Sequence, residues 1–182
     1  MANNFKMPRL VIVAALAFVA SCGAEAVHEP DSPSSVVRGP PIVFSYPAVG
    51  GTVLSSDALL GRYTVLGFVA TYDEHSHAQA LFLTRVVRHH VPRINAALIV
   101  LEPESNRVLI EAFKSVVDPP YPVAIADEAT IAGAGPFQEL HHVPSIVILD
   151  PQGRLAWRHL GIAGNEVIDA ALKALEKGKT PP

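Results

Sequence analysis

Cysteine is almost absent from this chain. Its 182 residues include one, Cys22, so no disulfide closes within the chain and no pair of thiols is available for redox exchange. Excess positive charge is missing as well. With a formal net charge of −3 there is no electrostatic basis for holding a polyanion, which excludes nucleic acid as the expected partner. Charged residues are sparse at 17%, while hydrophobic residues make up 49%, a balance that supplies a full core and excludes global disorder.

What is present begins with a targeting pattern. Lys6 and Arg9 precede an uncharged apolar run over residues 10–20, which suits a signal-peptide core and is short for a bilayer span. The run ends in Val19-Ala20-Ser21-Cys22, which resembles a bacterial lipobox. That resemblance implies cleavage before Cys22 and acylation of its sulfur, so residues 1–22 are read as a lipoprotein signal peptide of an exported, membrane-anchored protein. Residues 23–41 contain Pro30, Pro33, Pro40 and Pro41 among serines and read as a linker. Residues 42–178 remain for one folded domain.

Within that domain, residues 63–70 (YTVLGFVA) are an apolar, β-branched run expected to form a strand buried on both faces. Residues 75–91 should be a helix with Ala78, Leu81, Phe82 and Val86 on one side, and residues 96–101 (AALIVL) a second buried strand parallel to the first. Residues 105–116 read as a helix capped by Ser105, and residues 121–126 as a short strand. Residues 145–149 (SIVIL) and 155–159 (LAWRH) flank Asp150-Pro151-Gln152-Gly153, whose proline and glycine suit a type I turn between antiparallel strands. Val167, Ile168, Ala171, Leu172 and Leu175 make one stripe of a last helix, with Asn165 as its expected cap and Gly178 at its end. Residues 42–45 and 52–54 are expected to pair across Gly50-Gly51. The order specifies an α/β domain, a central mixed sheet with helices on both faces and an N-terminal hairpin extension.

The motifs in this order are similar to the thioredoxin-like redoxin superfamily, in particular the membrane-tethered TlpA/ResA type and the alkyl hydroperoxide reductase and thiol-specific antioxidant group. Residues 65–71 (VLGFVAT) resemble the strand that leads to the family's active site, and His142-Val143-Pro144-Ser145 resembles its cis-proline loop. The resemblance implies a cis Val143–Pro144 bond and a groove, formed here by Tyr72, Val143, Pro144 and Ser145, that accepts an extended peptide by strand addition.

The family's Trp-Cys-x-x-Cys motif aligns with Thr71-Tyr72-Asp73-Glu74-His75-Ser76, so Asp73 and Ser76 occupy the two cysteine positions. Disulfide exchange requires a thiolate, and neither side chain supplies one. Asp73 has a structural use as an N-cap, worth about 1 kcal/mol. Asp73, Glu74, His75 and His77 crowd the first helical turn, and His141-His142 precede the proline loop. This leaves a Zn²⁺ or Cu²⁺ site on His75, His77 and His142 as an alternative to solvated histidines. His89-His90, at the other end of the helix, is expected to favour its C-terminus. No cofactor is implied. The expectation is a redox-inactive binding module of the periplasm or cell surface, held to the membrane through lipid on Cys22, with an envelope protein or extended peptide as partner. The alternatives are a thioredoxin-family oxidoreductase and a histidine-based metal protein.

Overall fold

The computed structural model describes residues 39–90, 92–138 and 140–182. The signal peptide, Cys22 and most of the linker lie outside the described residues. The elements run β1 (Ser45–Pro47), β2 (Val53–Ser55), β3 (Tyr63–Val69), α1 (Glu74–His90), β4 (Ile94–Val100), α2 (Arg107–Val117), β5 (Val123–Ile125), α3 (Glu128–Ile131), β6 (Ser145–Leu149), β7 (Leu155–Leu160) and α4 (Asn165–Glu176).

Five strands form one sheet in the order β5-β4-β3-β6-β7. β3, β4 and β5 are parallel, β6 is antiparallel to β3, and β7 is antiparallel to β6. The β3-α1-β4 and β4-α2-β5 crossovers step the same way along the sheet. Right-handed crossovers of that kind put both helices on one face. There Leu83 and Val86 of α1, Ile110 and Phe113 of α2, and Ile168 and Leu172 of α4 join Val65, Leu98, Val123 and Ile146 in one apolar cluster. All three long helices therefore share a face. The opposite face carries the one-turn helix α3 and is covered mainly by Phe44, Tyr46 and Leu54 of the hairpin with Phe137 and Leu140. The sandwiched β3 is buried from Thr64 to Val69, as a continuous apolar strand should be. At Gly67 a Cβ would come within 2.7 Å of Leu98 Cδ2, so a side chain here would force the Leu98 side chain to shift.

The hairpin lies a few residues later than its sequence suggests. β1 and β2 pair Tyr46 with Leu54. This lets Ala48 bridge Ala124 and the Val49 N–H donate to Val123 O (2.8 Å), covering the outer edge of β5. The 150–153 turn forms as expected: the Gly153 N–H donates to Asp150 O (2.9 Å), with Gly153 at φ +78°. Two caps differ from expectation. Ser105 lies inside a 3₁₀ turn, Glu104–Asn106, that precedes α2. Gly164, not Asn165, precedes α4, and the Asn165 amide donates to Glu166 Oε1 (3.0 Å). His90 ends α1, as expected, and its side chain is buried. Its Nε2 lies 2.9 Å from Asp169 Oδ1, joining α1 to α4.

Candidate binding groove

The register Phe68↔Ser145↔Leu160 brings the ends of β3, β6 and β7 together at one end of the sheet. Three loops meet there. The first is the turn from β3 into α1. Asp73 immediately precedes α1 and caps it: Oδ2 accepts the Ser76 N–H (2.7 Å) and the Ser76 Oγ–H (2.7 Å). The Ser76 Oγ also accepts the Ala70 N–H (3.1 Å), and the residue is fully buried. Its hydroxyl thus has its donor and an acceptor occupied internally, and its burial keeps it from reaching a substrate.

Burial pushes the Asp73 carboxyl up, but the hydrogen bonds from the Ser76 side chain and backbone outweigh it. Together with His75, whose Nδ1 lies 3.6 Å from Oδ1, they hold it below the usual carboxylate value. A depressed carboxyl contributes stability above its unfolded pKa of about 3.9 and loses it as pH falls through the folded value. Asp73→Ala should therefore cost about 1 kcal/mol at pH 7. In urea titrations the gap to the parent should shrink as pH falls below about 4. A gap independent of pH would remove the charged cap from the account.

Glu102, which the sequence reading passed over, holds this turn from below. It is 3% exposed, its Oε1 accepts the Thr71 N–H (2.5 Å), and its Oε2 accepts the Asn106 amide (2.8 Å). Tyr72, on the turn so fixed, is 79% exposed.

The second loop is His142-Val143-Pro144-Ser145. The Val143–Pro144 bond is cis, Pro144 and Ser145 are buried, and the Ser145 Oγ–H donates to His142 O (2.7 Å). Neither the N–H nor the C=O of Val143 has a partner among the described residues. The third loop follows β7. The Gly161 N–H donates to Pro144 O (2.9 Å), setting the exposed Leu160 and Ile162 beside the proline loop. Gln79 of α1 fixes this loop by bonding both backbone groups of Ala163: its Nε2 donates to Ala163 O (3.0 Å) and its Oε1 accepts the Ala163 N–H (2.7 Å). Leu160 and Ile162 were missed in the sequence. The Gly161-Ile162-Ala163-Gly164 run after an apolar strand was the available signal.

The histidines do not gather. His77 turns inward, its Nδ1–H donating to Asp73 O (3.1 Å) and its ring standing edge-on to Phe113 at 4.7 Å. His75 lies two residues away on the helix and is exposed. His142 is exposed with its ring 5.2 Å from that of His141. Among the described residues no three His, Cys, Asp or Glu side chains are placed to hold a metal ion.

No family model matches the sequence, and no curated protein matches it either. The fold does find relatives among solved structures. One is a DsbF homologue from Corynebacterium diphtheriae, with a TM-score of 0.68 at 14% identity over 80% of this chain and 94% of that one. A thiol:disulfide interchange protein of the thioredoxin family from Chlorobium tepidum has a TM-score of 0.63 at 18% identity over 76% of this chain and 97% of that one. StoA from Bacillus subtilis has a TM-score of 0.56 at 16% identity over 74% and 96%. The chain has a thioredoxin-like fold. In this thioredoxin-like domain the position at the tip of α1 is held by an oxygen-based cap, and the exposed apolar groups Tyr72, Leu160 and Ile162 lie on loops at the same end of the sheet as Val143, whose backbone has no partner among the described residues.

Proposed function

We propose that this protein is a redox-inactive binding module of the cell envelope, tethered through lipid on Cys22, whose groove takes an extended segment of an envelope protein. One observation carries the reading. Asp73 and Ser76 close on each other at 2.7 Å where disulfide chemistry would need two thiols, while the N–H and C=O of Val143, on the proline loop at the same end of the sheet, have no partner among the described residues. An extended segment laid along Val143 would add to it as a strand, and Tyr72, Leu160 and Ile162 would bury its side chains. A secreted Mycobacterium tuberculosis disulfide oxidoreductase shares the fold at a TM-score of 0.60, and an exported context for this chain agrees with its signal-like N-terminus. The thiol-disulfide activity named for that protein does not follow, because the only sulfur of that kind in this chain is Cys22.

The test uses the full chain and an array of extended peptides cut from envelope proteins. Both Tyr72→Ala and Ile162→Asp alter exposed side chains and should leave the melting temperature near the parent value. Each should weaken peptide binding about tenfold, the loss expected when an aromatic or apolar anchor leaves a small interface. Reduction of insulin disulfides should stay at the uncatalysed rate. Catalysed reduction, or peptide binding indifferent to both substitutions, would overturn the proposal.

A further inference from the structure

Charge is sorted along the sheet. Asp73, Glu74, Glu102, Glu104, Asp127 and Glu128 lie at the end where β3, β4 and β5 finish, and Arg107 at that end is bonded to Glu104. The opposite end carries Arg62, Arg154, Lys177 and Lys179. All four are exposed, and none is in an ion pair among the described residues.

Local bonds bring these cations together. The Gly61 N–H donates to Pro151 O (2.8 Å), placing Arg62 against the turn between β6 and β7, and Arg154 leaves that turn. The Tyr63 hydroxyl donates to Leu175 O (3.0 Å), drawing the end of α4 and the two lysines that follow it, Lys177 and Lys179, to the same place. A cavity of about 250 Å³ lies between them, lined by Tyr63, Gln152, Arg154, Lys179 and Thr180. Asp150 also lines it, but Asp150 Oδ1 accepts the N–H groups of Gln152 and Arg154 (2.9 Å each). Asp57 and Glu176 stand outside the cavity on the same end. The Ile42 N–H donates to Gly153 O (2.8 Å) in the same turn, and residues 39–43 run from there along Pro136, Phe137 and Gln138.

We propose that this basic end docks on an anionic lipid surface. Arg154 and Lys179 take a headgroup phosphate at the cavity mouth, and the acidic end with its groove points away. The proposal rests on the membrane tether of the preceding section for its biological setting. A lipid surface suits the site because four exposed cations stand together at one end of the sheet, and each contributes about a fivefold gain in affinity near an anionic surface, offset in part by Asp57, Asp150 and Glu176. The acidic end would be repelled by the same field, so the docked orientation is specified from both sides.

Cosedimentation of the full chain carrying Cys22→Ser, which cannot be acylated at that position, tests the surface apart from the anchor. Vesicles of phosphatidylcholine alone are compared with vesicles containing phosphatidylglycerol, at low and high salt. Binding should be about tenfold or more tighter on the anionic vesicles, and that increment should vanish at high salt. Arg154→Glu with Lys179→Glu should remove most of it. Arg107→Gln, at the other end, should leave it intact. Equal binding to both vesicles, or an increment that survives the double reversal, overturns the proposal. The mass of the parent protein purified from membranes reads acylation of Cys22 separately. A chain without acyl groups would sink the tether while leaving the vesicle comparison to decide the surface.

Discussion

Replacing Asp73 and Ser76 together with cysteine should give this domain a dithiol that reduces insulin at a catalysed rate. The two side chains already meet, with Asp73 Oδ2 and Ser76 Oγ 2.7 Å apart, and their backbones are fixed by the first turn of α1. Cysteines three apart at that place fall within the reach a disulfide demands. The first would sit at the exposed N-terminus of a 17-residue helix, where the dipole and free N–H groups lower a thiol's pKa and favour the thiolate. The second would be covered, as Ser76 is now, and would resolve the mixed disulfide. Loss of the carboxylate cap should destabilise the reduced double variant by about 1 kcal/mol, which the fold should absorb. Asp73→Cys alone should form an adduct with a small disulfide yet fail to turn over, since it lacks a resolving thiol, and Ser76→Cys alone, covered as Ser76 is, should form none. Insulin turbidity with dithiothreitol as the reductant reads all four proteins. A folded double variant with no activity would mean that something other than missing sulfur keeps the site inert.

The largest loss of stability from one side chain should come from Gln79→Ala. Gln79 is fully buried on α1, and its amide satisfies both backbone groups of Ala163, itself fully buried. Truncation strands a donor and an acceptor in an apolar setting and leaves a cavity. Two such orphans cost about 1–3 kcal/mol each, enough to lower the melting temperature by roughly 10 °C. Gln79→Glu is the informative companion. It keeps an acceptor for the Ala163 N–H but cannot donate to Ala163 O, and as a carboxylate it buries a charge. It should therefore rescue little. Thermal melts followed by circular dichroism measure both. A loss within about 0.5 kcal/mol, the range of an ordinary surface change, would show that the third groove loop does not depend on this clamp.

What the sequence disclosed and what it hid divide by range. β3 and β4 could be read because strands covered on both faces are apolar throughout, and α4 because its stripe repeats at helical spacing. Asp73 was legible as a cap because its bond runs only three residues ahead. The groove was half visible, through Tyr72 and the Val143-Pro144 pair. Its other half depends on Gln79 meeting Ala163 across 84 positions and on Glu102 reaching back 31 positions to Thr71, and no local pattern encodes either. The burial of His90 was hidden for the same reason, since only the packing of α4 against α1 gives it Asp169 and covers it. The shared face of α1 and α2 follows from the direction of two successive crossovers, which became apparent only once the strand order was in hand.

The Ala70–Ser76–Asp73 chain of hydrogen bonds has a consequence for the setting in which such a groove works. A dithiol at this place would exist in two covalent forms, and the surrounding glutathione or oxygen would choose between them. Hydroxyl and carboxylate offer no second form. The affinity of the groove for whatever it holds should therefore be the same in reducing and oxidising surroundings, so a bound segment would not be released by a swing in ambient potential.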